Sequence, residues 1–503
     1  MREFFEALNR RAAVSADVVA FDDGVTRLSY AALAGRVAGV SEELRSSLPP
    51  AGVVGLLGGN RAEWVVGQLA AWHAGMTAVP LPAFFAPAQM AHIVRDAGVS
   101  HILCTAEMAG TAALLDAAHH VISGRQAPFV PPPDAIGGSG TGGQIIYTSG
   151  STGQPKGVRL TGRQMLATAA ALSKAIGADA DDLYLSALPL PLLLETICAV
   201  MVPILAGARI RLMPLLAEAL GRNASGGIAG LVAVIRPTCM VLVPQLLAAW
   251  VAELLAAGQR APDCLRFVAV GGAAVPPTLA RQAWELGIPI HEGYGLSECG
   301  SVVSLNRAGE RKPGTVGKPL PGVDVRIANG EIIVGGPSVM ERYLHGSPVS
   351  GIWRTGDMGT LDEDGFLTVH GRRDNLLVTA FGRNISPEWI ESLVLGDPRI
   401  GHCLLTLAEG VHPHILLAPS KQGESWFRTA SASQIQALIA DCCRDVPVYA
   451  FPRSHRVVSA EDWLKRGLIT GNGRLRRKAI LEAYGMPDGI SLERQAGERK
   501  AAS

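Results

Sequence analysis

The sequence predicts an α/β protein, with a large N-terminal domain of mixed sheets flanked by helices over residues 1–372 and a smaller α+β C-terminal domain over 373–503. Three observations carry this. Val65, Leu69 and Trp72 stand at helical spacing and mark an amphipathic helix, and Met76 to Val79 after Gly75 then reads as a short buried strand, so helix and strand alternate. From about Glu331 the texture changes to short strands with turn signals, as in Asp362 to Gly365 between Gly359–Leu361 and Phe366–Val369. The polar run from Gly371 to Asn375 then reads as an exposed connector, which sets the boundary.

The remaining elements follow in order. Ile145-Ile146 leads into a glycine-rich loop, beyond which Thr161 and Gln164 match a capping box and Met165, Ala169, Leu172 and Ile176 continue at helical spacing. Met240–Val243 and Phe267–Val270 read as strands. The second runs into Gly271-Gly272-Ala273-Ala274 and Pro276-Pro277, a turn followed by prolines suited to a helix start. Past the boundary, Cys403–Leu407 and Ile415–Ala418 look like strands and Ser433–Ile439 a helix.

Composition narrows the function. A chain of 503 residues exceeds one ordinary core, and 48% apolar against 18% charged residues allow a large interior. With 45 basic and 44 acidic side chains the formal charge is +1, so no global field selects nucleic acid or an anionic membrane as partner. A small-molecule enzyme is the better expectation. The eight cysteines show no CxxC spacing and read as reduced thiols of a cytoplasmic protein. The charged N-terminus does not read as a secretory signal, and no uncharged stretch within Leu183–Leu220 is long enough for a transmembrane segment.

The stretch "YTSGSTGQPKGV", residues 147–158, has the makings of an anion cradle. Successive N–H groups in glycine-rich turns form a concavity, hydroxyls add donors and a lysine adds charge. Thr148, Ser149, Ser151, Thr152 and Lys156 supply these between Gly150, Gly153 and Gly157. Pro155 precedes the lysine where a Walker-type loop has glycine, so that NTPase class is a poor match.

Together with "GYGLSECG" (293–300), "WRTGDMG" (353–359), "GRRDNLLVTAFGRNISPEWIE" (371–391) and "GNGRLRR" (471–477), this loop resembles the ordered motifs of the acyl-adenylate-forming superfamily, closest to fatty and long-chain acyl-CoA synthetases. The resemblance implies a mobile C-terminal domain, an active site between the domains, and two-step chemistry with ATP, Mg2+ and CoA or a phosphopantetheine thiol. A carboxylic acid, expected to be a fatty or aryl acid, would be the substrate. An acyl carrier protein stays open as an alternative thiol partner, as do an amine or hydroxyl acceptor and a homologue that has lost catalysis. The resemblance further implies that Ser149, Gly150, Ser151, Thr152 and Gly153 cradle phosphates with Lys156, and that Glu298 and Thr148 hold Mg2+. Tyr294 would stack on adenine beside Gly295 and Ser297. Gly272 and Ala273 would line the adenine and acyl side, Asp357 would take the ribose hydroxyls and Arg372 would reach ribose or phosphates. Asp374 is the implied hinge, and residues near Gly382 would enter the site for the thiol step.

Two departures stand out. Arg474 occupies the position of a lysine that in relatives bridges carboxylate and nucleotide, and arginine is planar, bulkier and differently hydrated. The adjoining Arg476-Arg477-Lys478 reads either as a phosphate binder or as a solvated basic face. In "LPLPLLLETI" (188–197), Leu192 stands where the long-chain pattern has histidine, whereas Glu195 is retained. Leu190, Leu192, Leu193 and Leu194 fit either an apolar acyl tunnel or a core helix start.

Overall fold

The computed structural model describes residues 1–132, 142–148, 155–221, 227–379, 383–408, 412–469 and 475–484. Two large sheets dominate it. In the nine-stranded sheet, Val19–Asp22, Arg209–Leu212, Leu183–Ser186, Cys239–Leu242, Phe267–Val270 and Ile290–Tyr294 run parallel side by side, and antiparallel strands close both edges. In the seven-stranded sheet, Ala118–Val121, His101–Cys104, Val53–Leu57, Thr77–Leu81 and Gly143–Thr148 are parallel, followed by Lys156–Thr161 and Arg342–Tyr343 in antiparallel register. Parallel strands buried on both faces need apolar runs, and Val79, Val54, Leu56 and Met240 to Leu242 are such runs.

The helix Ala62–His73 corrects one expectation. It is not amphipathic: every residue except Glu63 is buried, Trp64 and Trp72 among the largest fully buried side chains. It packs in the largest core cluster with apolar side chains from both sheets, so no face is left for water. The interior position calls for polar pairing where Gln68 intrudes, and its Nε2 donates to Gln144 Oε1 at 3.1 Å. Trp72 Nε1 donates to the Gly143 carbonyl at 3.1 Å, fixing the strand that leads into the glycine-rich loop.

That loop joins two strands of a hairpin, Gly143–Thr148 and Lys156–Thr161, with Thr148 opposite Lys156. The helix Gly162–Ile176 then starts directly, and its capping box is as the sequence predicts: Thr161 N donates to Gln164 Oε1 at 2.7 Å and Gln164 N to Thr161 Oγ1 at 3.4 Å.

The leucine-rich stretch divides. Leu190 and Leu193 are buried core, whereas Leu192 and Leu194 are half-buried. A short helix Leu193–Glu195 passes into a π-helical turn, Thr196–Met201, and then the helix Val202–Ala206. Glu195 is wholly buried there and accepts a hydrogen bond from the Tyr184 hydroxyl at 3.2 Å. Burial pushes its carboxyl from an ordinary 4.5 up to about 8, against the opposing pull of its hydrogen-bond donors. Because the folded chain holds this proton and the unfolded chain releases it near 4.5, the stabilisation is complete below that pH and is lost as pH rises toward 8. Stability is therefore expected to fall by up to about 1.4 kcal/mol per pH unit across that window from this group alone. Glu195→Gln should flatten the slope in urea melts taken from pH 5 to 8; an unchanged slope would show that Glu195 is ionised when folded.

Beyond the two sheets lies an antiparallel four-stranded sheet, Asp324–Ala328, Glu331–Gly335, Ile352–Leu361 and Leu367–Arg372. Arg372 ends the last strand of that sheet, and Arg373–Asn375 form a short 3-10 turn. Among the described residues, the strands that follow pair with one another and not with the earlier sheets: Leu377–Val378 with Asn384–Ile385, and Ile400–Ala408 with His412–Pro419 and Ser454–Val457. The helix Ala432–Cys442 packs on this second group around a separate apolar cluster.

The C-terminal basic run departs from a uniformly solvated face at one residue. Arg476 and Lys478 are exposed, but Arg477 turns inward and clamps Glu391 with 2.7 Å contacts to both carboxylate oxygens. Its other arm donates to the Leu405 carbonyl at 2.9 Å, and Leu405 N donates to Glu391 Oε1 at 2.6 Å.

Candidate active site

Two clusters of predicted site residues form. In the first, Lys156 opens the second strand of the hairpin, and its Nζ lies 5.9 Å from the ring centroid of Tyr343. The Tyr343 hydroxyl donates to Glu298 Oε1 at 2.8 Å. Glu298 sits in a 3-10 turn, Ser297–Cys299, at the end of the parallel strand Ile290–Tyr294, and its carbonyl accepts from Met340 N at 2.7 Å. Thr148 faces Lys156 across the hairpin mouth. The turn is tight: a Cβ at Gly295 would come within 1.7 Å of the Ser301 carbonyl, so only glycine fits between Tyr294 and Leu296.

In the second cluster the Tyr294 hydroxyl donates to Asp357 Oδ2 at 2.5 Å, and Arg372 Nε approaches Asp357 Oδ1 at 2.8 Å. Asp357 lies inside the ten-residue strand Ile352–Leu361. Gly356, at φ 72°, kinks that strand, and Asp357 pairs across the ladder with Arg372. Burial raises the Asp357 carboxyl, while Arg372 and the Tyr294 hydroxyl pull it back. Burial and the neighbouring carboxylate hold the Tyr294 phenol protonated far above its ordinary value. The clusters sense each other, since Glu298 opposes ionisation of Asp357 and Arg372 offsets the upward push on Tyr343.

The bend after Phe267–Val270 is exposed at Gly272 and Ala273 and is followed by the helix Pro277–Glu285 with proline at its start, as the sequence predicts. Gly272 takes φ 83°, a region that favours glycine. Asp374 stays apart from both clusters: its side chain is 80% exposed, beside Arg373 at 3.9 Å. Ser149, Gly150, Ser151, Thr152, Gly153, Gly382 and Arg474 lie outside the described residues.

Three supports have no signal in the sequence. Tyr343 belongs to none of the motifs. Asp96 ties the hairpin to the turn after Tyr343, accepting from Tyr147 at 2.6 Å and His345 at 3.0 Å. Buried Glu331 accepts from Gly356 N at 3.0 Å and from Arg373 at 2.9 Å, and also pairs with Arg354, fixing the kink beside Asp357. All are long-range contacts between segments whose local patterns say nothing of each other.

Among the described residues no group of three or more His, Cys, Asp or Glu side chains is arranged to hold a metal by itself, and no helix is long and apolar enough to cross a membrane. A lone carboxylate does suit Mg2+, which keeps several waters and is held through one or two carboxylates together with substrate phosphates. Glu298 meets that requirement, with Oε1 engaged by Tyr343 and no protein hydrogen bond at Oε2 among the described residues.

A family model described as "AMP-binding enzyme" matches residues 8–344. Feruloyl-CoA synthase of Amycolatopsis sp is 31% identical over 422 residues, 78% of this chain and 83% of that protein. A probable CoA ligase of Humulus lupulus, CCL8, and malonate–CoA ligase of Arabidopsis thaliana are each 29% identical over 70% of this chain. The matched stretches make up 66% and 64% of those two proteins, just under two thirds of their length. Among solved structures, the anthranilate CoA ligase AuaEII in complex with anthranoyl-AMP shares the fold with a TM-score of 0.81 at 20% identity, covering 95% of this chain and 96% of that one. The o-succinylbenzoate CoA synthetase of Bacillus subtilis, in complex with ATP and magnesium, does so with a TM-score of 0.77 at 24% identity, covering 94% and 98%.

Proposed function

This chain belongs to the AMP-binding enzyme family, and on that premise we propose that it activates a carboxylic acid with ATP and then transfers the acyl group to the thiol of CoA. In the first step a carboxylate oxygen attacks the α-phosphorus of ATP, the bond to the β-phosphate breaks, and pyrophosphate leaves with the electron pair. In the second the thiolate attacks the acyl carbon and AMP departs. The observation that carries this reading is the meeting of Lys156, Tyr343 and Glu298 beside Tyr294, Asp357 and Arg372, one cluster suited to phosphates and the other to a nucleoside.

Charge grows on phosphate oxygens as the α-phosphorus is attacked, so preorganised positive groups lower that barrier more than they favour the ground state. Lys156 supplies one such group at the hairpin mouth. Mg2+, when bound, would add charge neutralisation, with Glu298 and Thr148 as its protein-side holders. Asp357 supplies two buried acceptor oxygens for a ribose diol, and Tyr294 an apolar ring beside it for the base. We place the division between a nucleotide- and acyl-binding domain and a mobile domain at 372/373, where strands of the four-stranded sheet end, with Asp374 as hinge. Arg474 and the segment near Gly382 would approach the site from that second domain.

The acid we propose has an apolar body, fatty or aryl. The bend carrying Gly272 and Ala273 offers no side-chain charge, and feruloyl-CoA synthase, among the relatives, is named for an aromatic acid. Pyrophosphate release and hydroxamate trapping across fatty acids of graded length and ferulate- and benzoate-type acids test the reading, with and without CoA. Acid-dependent pyrophosphate release followed by CoA-dependent thioester is expected. Intact ATP binding with no release on any acid would overturn it. In the same assay Arg474→Lys is expected to speed adenylation severalfold, reading Arg474 as a handicap.

A further inference from the structure

Tyr343 lies outside every motif that points to chemistry, yet its hydroxyl binds Glu298 and its ring lies within cation–π range of Lys156. Its backbone pairs with Val158, two residues from Lys156, and Leu344 N donates to the Gly157 carbonyl at 2.8 Å. The residue is thus fixed to the strand that carries the lysine. Its ring is braced edge-on by Trp353, with centroids 5.6 Å apart and planes at 74°. From there the hydroxyl reaches across to Glu298 Oε1 at 2.8 Å while the ring lies under the Lys156 ammonium at 5.9 Å.

An ammonium and a carboxylate on neighbouring elements tend to collapse into an ion pair, which would cancel the charge each presents to a ligand. Among the described residues Lys156 forms no ion pair with Glu298; the one phenol meets both, with its hydroxyl donating to the carboxylate and its π face toward the ammonium. We propose that Tyr343 is a positioning residue that keeps Lys156 and Glu298 apart and aimed, so that the lysine stays available to phosphate and the second Glu298 oxygen to the metal. This rests on the reading that Glu298 holds the metal of a metal–ATP complex, and it adds to that reading the device that presents the carboxylate.

Equilibrium binding tests it apart from turnover. ATP affinity is measured by titration calorimetry with and without Mg2+ for the wild type, Glu298→Gln, Tyr343→Phe and Tyr343→Leu, each checked for an unchanged thermal midpoint. Tyr343→Phe keeps the ring and removes only the hydroxyl. It is expected to cut the Mg2+-dependent gain in ATP affinity about tenfold, as loss of a partner that orients a metal ligand does, and to leave metal-free affinity unchanged. Tyr343→Leu removes the ring as well and is expected to weaken metal-free ATP binding by roughly threefold in addition. A Tyr343→Phe variant with the wild-type gain overturns the proposal, provided Glu298→Gln abolishes that gain. If instead Glu298→Gln keeps the gain, the assignment of Glu298 to the metal fails, and the role of Tyr343 fails with it.

Discussion

Glu298→Gln is expected to lower acid-dependent pyrophosphate release by about 10²–10³, the range seen when one electrostatic contact to a transition state is removed. Glutamine keeps the shape and still accepts from the Tyr343 hydroxyl, so the turn Ser297–Cys299 and the fold have no reason to change. What is lost is the negative charge that would face the metal. Steady-state release assays with circular dichroism on the same samples check both halves of the expectation. Turnover within twofold of wild type would remove Glu298 from the chemistry.

Arg477→Ala should produce the largest change in stability. Glu391 is buried, and burial raises its carboxyl while Arg477 opposes that rise from 2.7 Å. Deleting the guanidinium leaves a buried acid with, among the described residues, the Leu405 N–H as its remaining donor, a situation that costs about 3–5 kcal/mol. The loss should appear in urea unfolding as earlier melting of the segment from about Leu377 onward, followed through Trp389, Trp426 and Trp463 fluorescence. The double variant Glu391→Leu/Arg477→Met should recover much of it, because replacing both partners leaves no unpaired charge. A single variant as stable as wild type would mean that Glu391 is neutral and indifferent to its partner.

What the sequence discloses and what it withholds follow the range of the interactions. The capping box at Thr161 and Gln164, the proline-led helix after Gly272 and the strands at Cys403–Leu407 and Ile415–Ala418 depend on neighbours in the chain, and these the pattern identifies. The helix Ala62–His73 reads as amphipathic because Val65, Leu69 and Trp72 repeat at helical spacing. Only tertiary packing reveals that Gln68 faces another buried amide instead of water. Asp357 is legible as a motif residue, but the kink at Gly356 that places it within a strand depends on Glu331 in a different segment. Arg477 is indistinguishable in sequence from its exposed neighbours Arg476 and Lys478, since its buried partner, Glu391, is far away along the chain.

Asp357 also ties the proposed nucleoside end of the site to the residue that ends the four-stranded sheet. Both of its oxygens already have donors, one from a large sheet and one from the final residue of the four-stranded sheet. On the proposed reading a ribose diol would displace or share them, and the guanidinium released in this way belongs to Arg372, next to the turn Arg373–Asn375. On the division proposed at 372/373, filling the nucleoside end would leave Arg372 held by the Thr355 carbonyl at 3.1 Å, so that one contact would become the remaining side-chain tether beside the junction.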